Sequence, residues 1–215
     1  KLAFTYDISD AWGIFGSAAQ TQRAPTLDEL YTYEVFGGGP PRVAPPAVDL
    51  DPETARSVEL GFTYSTADLL VPGDAFDARL TAHYSRIEDL IELSFVPGTP
   101  AYRNVGEAEI YGIEFEAAYV GDAWYSNLAL SLLEGRNLTD DEVWTQLPQD
   151  SLHLTVGRRD EATGVGFGWT MNAFADIDYE GARGGDAADN RFGGYAIHDL
   201  FASYAPQEGP LEGFE

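Results

Sequence analysis

Hydrophobic and polar residues alternate along most of this chain with a period of two. Apolar rows run through Leu2, Phe4, Tyr6 and Ile8, then Trp12 and Ile14, then Val58, Leu60, Phe62 and Tyr64. Further rows are Phe76 to Tyr84, Ile113 to Tyr119, Leu128 to Leu132, Leu152 to Val156 and Leu200 to Tyr204; the longest runs from Val165 to Ile177. Strict alternation marks strands with one apolar and one polar face. It predicts about nine strands, most near ten residues or longer, where soluble strands average about 5–6 and transmembrane ones need about 9–11. Val58, Leu60, Phe62, Ala78, Leu80, Ile113, Phe115, Leu128, Leu130, Phe167 and Trp169 are expected to share an outward face. Glu59, Arg79, Thr81, Glu114, Glu116, Asn172 and Asp176 are expected on the inner one.

The predicted connections alternate in length. Those near Ser9-Asp10, Thr66 to Ala75, Gly121 to Ala123 and Arg159 to Thr163 are short or moderate. Those from about Arg23 to Ala55, Glu92 to Glu107, Gly135 to Asp150 and Glu180 to Gly194 are long. In an up-and-down meander this sorting puts every long loop at one end, as in outer-membrane barrels; a sandwich has no reason to sort them. The fold class expected is therefore all-β, an antiparallel up-and-down transmembrane barrel, incomplete at about nine strands. Aromatics near strand ends (Trp12, Tyr64, Trp124, Tyr125, Tyr179, Tyr195, Tyr204) would fit interfacial girdles or a core equally.

Composition narrows the partners. With 36 acidic against 12 basic side chains in 215 residues, the net charge is −24. Nucleic acid is not an expected partner, because phosphate binding needs clustered Lys and Arg. There is no Cys, which excludes disulfides and thiolate metal sites. The longest stretch without a charged residue, Ala162 to Ala175, is shorter than the roughly 18 residues of a helical span. Closed barrels cross membranes without one.

Three ordered motifs occupy the first half. Gln22-Arg23-Ala24-Pro25 is followed by Glu29-Leu30-Tyr31. Leu50-Asp51-Pro52-Glu53 precedes Ser57 and Glu59-Leu60-Gly61. Asn104, Gly106, Ala108, Gly112 and Glu114 form the third. Local chemistry gives each a structural role. Pro25 lacks an N–H and ends strand pairing, Asp28 and Glu29 suit a turn or short helical start, and Gly106 and Gly112 suit tight bends and close backbone packing. Together the motifs resemble those of TonB-dependent outer-membrane receptors, the first being similar to the Arg-Ala-Pro box of the haem and haemoglobin branch. The resemblance implies a larger barrel of about 22 strands with a plugged lumen. This chain would then be part of the C-terminal barrel domain over 1–215, with the plug and final strands absent and the end at Leu211 to Glu215 starting a strand. It also implies active uptake of a scarce nutrient, an iron chelate such as a siderophore or haem, energised through the TonB complex and set in outer-membrane lipid. A passive porin and a soluble extracellular β-sandwich module are the alternatives; the ordered motifs oppose the first and the lipid-facing rows the second. Two departures from the haem branch stand out: residues 31–50 hold no His, and Ala47-Val48-Asp49-Leu50 stands where that branch reads Asn-Pro-Asn-Leu.

Other chemistry is sparse. His83, His153 and His198 fall on three strands without metal-ligand spacing and read as polar-face residues. Gly164 to Gly168 lacks the third glycine of a dinucleotide loop. The acidic groups Asp140-Asp141-Glu142 and Asp49/Asp51/Glu53 lack EF-hand order and read as solvated loop. Asn137-Leu138-Thr139 is a glycosylation sequon without meaning in a bacterium. No nucleophilic arrangement is legible, so no enzyme, cofactor or metal is expected. Ligand contact is expected in the loop from Thr32 to Asp49, where Tyr31, Tyr33, Phe36 and Arg42 surround Gly37-Gly38-Gly39.

Overall fold

The structure, a computed structural model, describes residues 1–32, 34–35, 42–94, 96, 98–139, 142–143, 147–160, 162–178 and 191–205. Nine long strands carry the fold: β1 (Leu2–Asp7), β2 (Trp12–Arg23), β3 (Glu53–Ala67), β4 (Ala75–Leu93), β5 (Tyr102–Val120), β6 (Trp124–Asn137), β7 (Ser151–Asp160), β8 (Val165–Phe174) and β9 (Tyr195–Tyr204). Each pairs antiparallel with the next in chain order, in one meander. Among the described residues the sheet is open, with β1 and β9 at its edges. Short two-residue strands decorate the loops: Glu34–Val35 pairs with Arg42–Val43, Glu142–Val143 with the end of β6, and Ile177–Asp178 with Arg191–Phe192.

Register carries the two-faced pattern across every strand, because directly paired residues project to the same side. Ile14 lies opposite Phe62, Phe62 opposite Leu80, Leu80 opposite Phe115, and Phe115 opposite Leu130. Leu130 then faces Leu152, while Val156 faces Trp169 and Trp169 faces Leu200. The expected outward set thus lies on one face. Its side chains are bare: Leu60, Phe62, Leu80, Ile113 and Phe167 are each 42–50% exposed. A sheet whose apolar face is uncovered is stable only when another apolar phase covers it, and for a barrel wall that phase is lipid. On β4 this row, from Phe76 to Tyr84, covers roughly 25 Å along the strand at about 3.3 Å per residue.

The opposite face is polar and cross-linked. Glu59 pairs with His83, Thr81 with Glu114, Arg79 with Glu116, and His153 with Asn172. Ser57 and Ser85 share a hydrogen bond of 2.9 Å, and Thr155 and Thr170 one of 3.0 Å. Aromatic rings lie over inner-face glycines. Phe15 covers Gly61, Tyr125 covers Gly157, and Phe201 covers Gly168, so that an added Cβ would sit 2.1–2.3 Å from a ring carbon in each case. Such pairing shields the backbone of a glycine that lets the sheet bend.

Connections sort as expected: residues 8–11, 68–74, 121–123 and 161–164 turn at one end, and 24–52, 94–101, 138–150 and 175–194 at the other. Several sequence expectations need correction. The connection expected from Glu92 to Glu107 shrinks to 94–101, because β4 and β5 stay paired up to Leu93 and Tyr102. Beyond the apolar band the period of two breaks: apolar Ile87, Leu90, Ile91 and Leu93 fall on both faces of β4 around Asp89, whose φ is +57, which hides the strand from a simple alternation. The row expected to run from Val165 to Ile177 stops at Phe174, so Asp176 lies outside the inner-face strand set; Ile177 pairs with Phe192 instead. His198 is on the apolar face, opposite Met171, where it accepts a hydrogen bond from Trp169 Nε1 at 3.2 Å. By register Tyr125 and Tyr195 belong to the inner face, while Trp12, Tyr64, Phe76, Tyr119, Trp124 and Tyr204 form an outward aromatic rim at the short-turn end. Trp12 packs on Tyr64 at 4.6 Å and Tyr64 on Phe76 at 6.2 Å. Tyr179 and the Leu211 to Glu215 segment lie outside the described residues.

Candidate functional site

The first motif and the leading residues of the other two meet at the long-loop end. Arg23 closes β2 against Glu53 in register. Pro25 then stops the strand, and Thr26 caps helix α1 (Leu27–Tyr31). The cap is reciprocal: Glu29 N–H donates to Thr26 Oγ1 at 3.3 Å, and Thr26 N–H donates to Glu29 Oε2 at 2.7 Å. That same Oε2 accepts from Arg23 Nη1 at 2.9 Å, while Arg23 Nε donates to Glu53 Oε2 at 2.6 Å. The second oxygen of Glu53 accepts the backbone N–H of Ile91 at 2.8 Å. Hydrogen bonding to Glu53 and then Glu29 raises the Arg23 pKa. Hydrogen bonding to Arg23 lowers that of Glu29, against its burial.

Asn104 supplies the third motif's share. Its Oδ1 accepts Asp51 N–H at 2.9 Å, and its Nδ2 donates to Asp51 O at 3.0 Å and to Asp89 O at 2.6 Å. Asp89 has φ +57, the left-handed conformation that Asn and Asp tolerate best among non-glycine residues. Beyond it Leu90 is buried with Val105 and Ala108. Gly106 leaves room for Thr139: an added Cβ would lie 2.6 Å from Thr139 Oγ1, which accepts Glu107 N–H at 2.9 Å. Thr139 belongs to the apparent sequon, and Asn137 Oδ1 accepts its N–H. The sequon's residues are therefore structural here.

Arg23, Glu29, Glu53, Asn104 and Gly106 are brought together. Ala24, Pro25 and Pro52 shape the backbone between them, and Leu30 O accepts Ala47 N–H at 2.8 Å. Ala44 and Ala47 are buried, Ala44 against Ala101 beside Leu93 and Tyr102, so this part of the 24–52 loop is docked on the ends of β4 and β5. Glu59, Gly61, Gly112 and Glu114 are elsewhere, on the inner wall. There Arg79 reaches Glu59 at 3.5 Å and lies 4.1 Å over the Phe15 ring, which itself covers Gly61. Gly112 sits where a Cβ would meet Leu132 O at 2.5 Å. Sequence reasoning missed Thr26, Thr139 and Phe15; only the Thr-x-x-Glu spacing of the capping box could have given Thr26 away.

Of the residues expected to contact ligand, Tyr31 ends α1 and is 57% exposed. Tyr33 and Phe36 lie outside the described residues. Arg42 is described by its backbone alone, paired with Val35. The four are not brought together into a described pocket. Among the described residues no group of three His, Asp or Glu side chains could hold a metal ion. His153 is engaged by Asn172 at 2.6 Å.

The family model for the TonB dependent receptor-like β-barrel matches residues 1–211. This chain belongs to that family. It is a wall of an outer-membrane β-barrel, consistent with its bare apolar face. It is 26% identical to the hemin receptor of Yersinia pestis over 91% of this chain and 29% of that one. It is 27% identical to the vitamin B12 transporter BtuB of Photobacterium profundum, over 95% and 30%. Among solved structures it resembles the ferric enterobactin receptor PfeA of Pseudomonas aeruginosa (TM-score 0.76, 19% identity, 94% of this chain and 32% of that one). The copper transporter OprC gives TM-score 0.75 at 18% identity, over 94% and 30%. The chain spans about a third of the length of the curated relatives it matches.

Proposed function

We propose that this TonB-dependent receptor segment serves uptake of an iron chelate, haem or a ferric siderophore, driven by the TonB complex. The observation that carries the reading is the pattern of relatives. Hemin and haem receptors of Yersinia and Haemophilus align over 91–96% of the chain. The geometry adds a fixed root: Arg23, Glu29, Glu53 and Asn104 tie the start and end of the 24–52 loop to the strands around it. Tyr31, Tyr33, Phe36 and Arg42 are the side chains assigned to ligand contact, aromatics and Arg being the types that most often dominate binding energy. Residues 31–50 supply no His, so any haem contact there rests on Tyr and Arg.

The test is growth of an iron-starved Gram-negative host that lacks its own receptors and expresses the receptor carrying this chain. Haem, ferric siderophores and no added chelate are compared, with and without TonB, and cobalamin and copper uptake are measured alongside. Growth on one iron chelate that disappears without TonB is the expected result. Uptake that persists without TonB would establish a passive channel instead. TonB-dependent uptake of cobalamin or copper alone would replace the iron assignment.

A further inference from the structure

The turn joining β3 to β4 is unlike the other short turns. Its tip, Leu69-Leu70-Val71, exposes three consecutive apolar side chains, at 43%, 71% and 47%. An exposed loop normally places such residues singly. Here the tip is also held rigid. Asp74 is 1% exposed, and its carboxylate accepts the N–H groups of Leu69, Leu70 and Val71 at 2.6, 2.8 and 2.9 Å. Asp68, with φ +55, accepts Gly73 N–H at 2.6 Å through its side chain, and its own N–H donates to Asp74 O at 3.0 Å. Burial alone would push the Asp74 carboxyl up; the three backbone donors and Tyr119 outweigh it and hold it below the ordinary carboxylate range. A buried, fully engaged carboxylate that fixes an exposed apolar tip spends its hydrogen bonds on presenting that tip.

The side on which the tip lies follows from register. The Asp68–Asp74 backbone bond continues the β3–β4 pairing one step past Ala67 and Ala75, which puts Asp74 on the same side as Phe76 and its outward partner Tyr119. The turn therefore leans to the apolar, lipid-facing side, beside the rim of Trp12, Tyr64, Phe76 and Trp124. Gly73 of the turn and Arg158 line one hollow of about 500 Å³, and Arg158 sits 5.9 Å over the Trp124 ring. An apolar tip, an aromatic rim and an Arg on one edge match the layering of a membrane interface: acyl chain, boundary, phosphate.

We propose that the turn 68–74 is a membrane-interface anchor, whose Leu69-Leu70-Val71 tip inserts into the periplasmic leaflet at the boundary of headgroups and acyl chains. The occupant is phospholipid, because the exposed apolar tip adjoins the end of the outward row at Phe76 and Tyr64. This rests on the reading of the sheet as an outer-membrane barrel wall with its short turns on the periplasmic side.

The chain has no cysteine of its own; with any cysteine elsewhere in the receptor replaced by Ser, Leu70→Cys, Asp122→Cys and Leu80→Cys can each carry one environment-sensitive fluorophore. The receptor carrying this chain is inserted into vesicles of phosphatidylethanolamine and phosphatidylglycerol. Quenching by aqueous iodide is compared with quenching by doxyl labels at shallow and deep acyl positions. The probe at position 70 is expected to resist iodide and to report a depth of about 5–10 Å below the headgroup surface. The probe at position 122, in the neighbouring turn, should be open to iodide. Adding Asp74→Ala should return the position-70 probe to water. Iodide quenching at position 70 beside doxyl quenching at position 80 overturns the anchor and leaves the barrel wall standing; iodide access at position 80 as well overturns the wall itself. A position-70 probe that is open in vesicles but shielded in native outer membranes overturns the lipid assignment in favour of a protein cover.

Discussion

Arg23→Ala should loosen the root of the 24–52 loop while leaving the barrel assembled. The guanidinium makes two charge-assisted hydrogen bonds, to Glu29 at 2.9 Å and Glu53 at 2.6 Å. The carboxylates are 14% and 13% exposed but Arg23 is 43% exposed, so solvent screens part of the attraction. Fully exposed pairs contribute about 0.2–1 kcal/mol, and hydrogen bonds to charged groups about 1.5–3 kcal/mol when shielded. The loss should lie between, at about 1–2 kcal/mol, a factor of roughly 5–30 in the opening equilibrium. Hydrogen exchange by mass spectrometry reads it directly in lipid-embedded receptor. The reporters are Leu30 N–H, bonded to Thr26 O, and Ala47 N–H, bonded to Leu30 O. Both should exchange faster by about that factor, and amides in the middle of β4 and β5 should not change. Arg23→Lys should fall between, because an ammonium cannot match the fork of a guanidinium. Unchanged protection at Leu30 and Ala47 in Arg23→Ala would refute the lock and return the Arg-Ala-Pro motif to a mere strand exit.

Acid should release the same root: the Glu29 pKa is lowered below its ordinary 4.5, so its contribution is complete above that value and is lost as pH falls through the lower folded one. Exchange at Leu30, corrected for intrinsic rates, should therefore quicken only in the acid range below about 4.5. Gly61→Ala would bring a Cβ within 2.7 Å of Leu80 O as well as onto the Phe15 ring; a loss of about 1–3 kcal/mol is expected in urea titrations of the vesicle-inserted receptor. Leu130→Arg on the outward face should cost about 2–4 kcal/mol in the same titration, whereas Asn127→Arg on the inner face should be tolerated. Deleting residues 37–41 should weaken ligand binding without loss of assembly, measured by equilibrium binding to inserted receptor; a deletion reaching Ala47 would also remove the buried Ala44 and Ala47 and confuse the two effects.

What the sequence determined by itself was facing and order. A side-chain period of two reports which residues share a side of a strand, and alternating connection lengths report which ends the loops occupy. That was enough for the outward row from Val58 to Trp169 and for a nine-strand meander. The three motifs were legible as motifs because their residue types and order are specific. Their joint purpose was not legible. Arg23 meets Glu53 across a register, and Asn104 reaches Asp51 and Asp89 from a strand that begins only at Tyr102. Such encounters depend on which strand pairs with which and at what offset, and a periodicity that is the same in every strand carries no offset. For the same reason β4 and β5 ran on past their apolar rows unseen, and His198 landed opposite Met171 on the lipid face. The anchor turn shows the limit most plainly. Asp68 to Asp74 reads as an ordinary loop with some apolar residues, and only the folded chain closes three backbone donors onto one buried carboxylate.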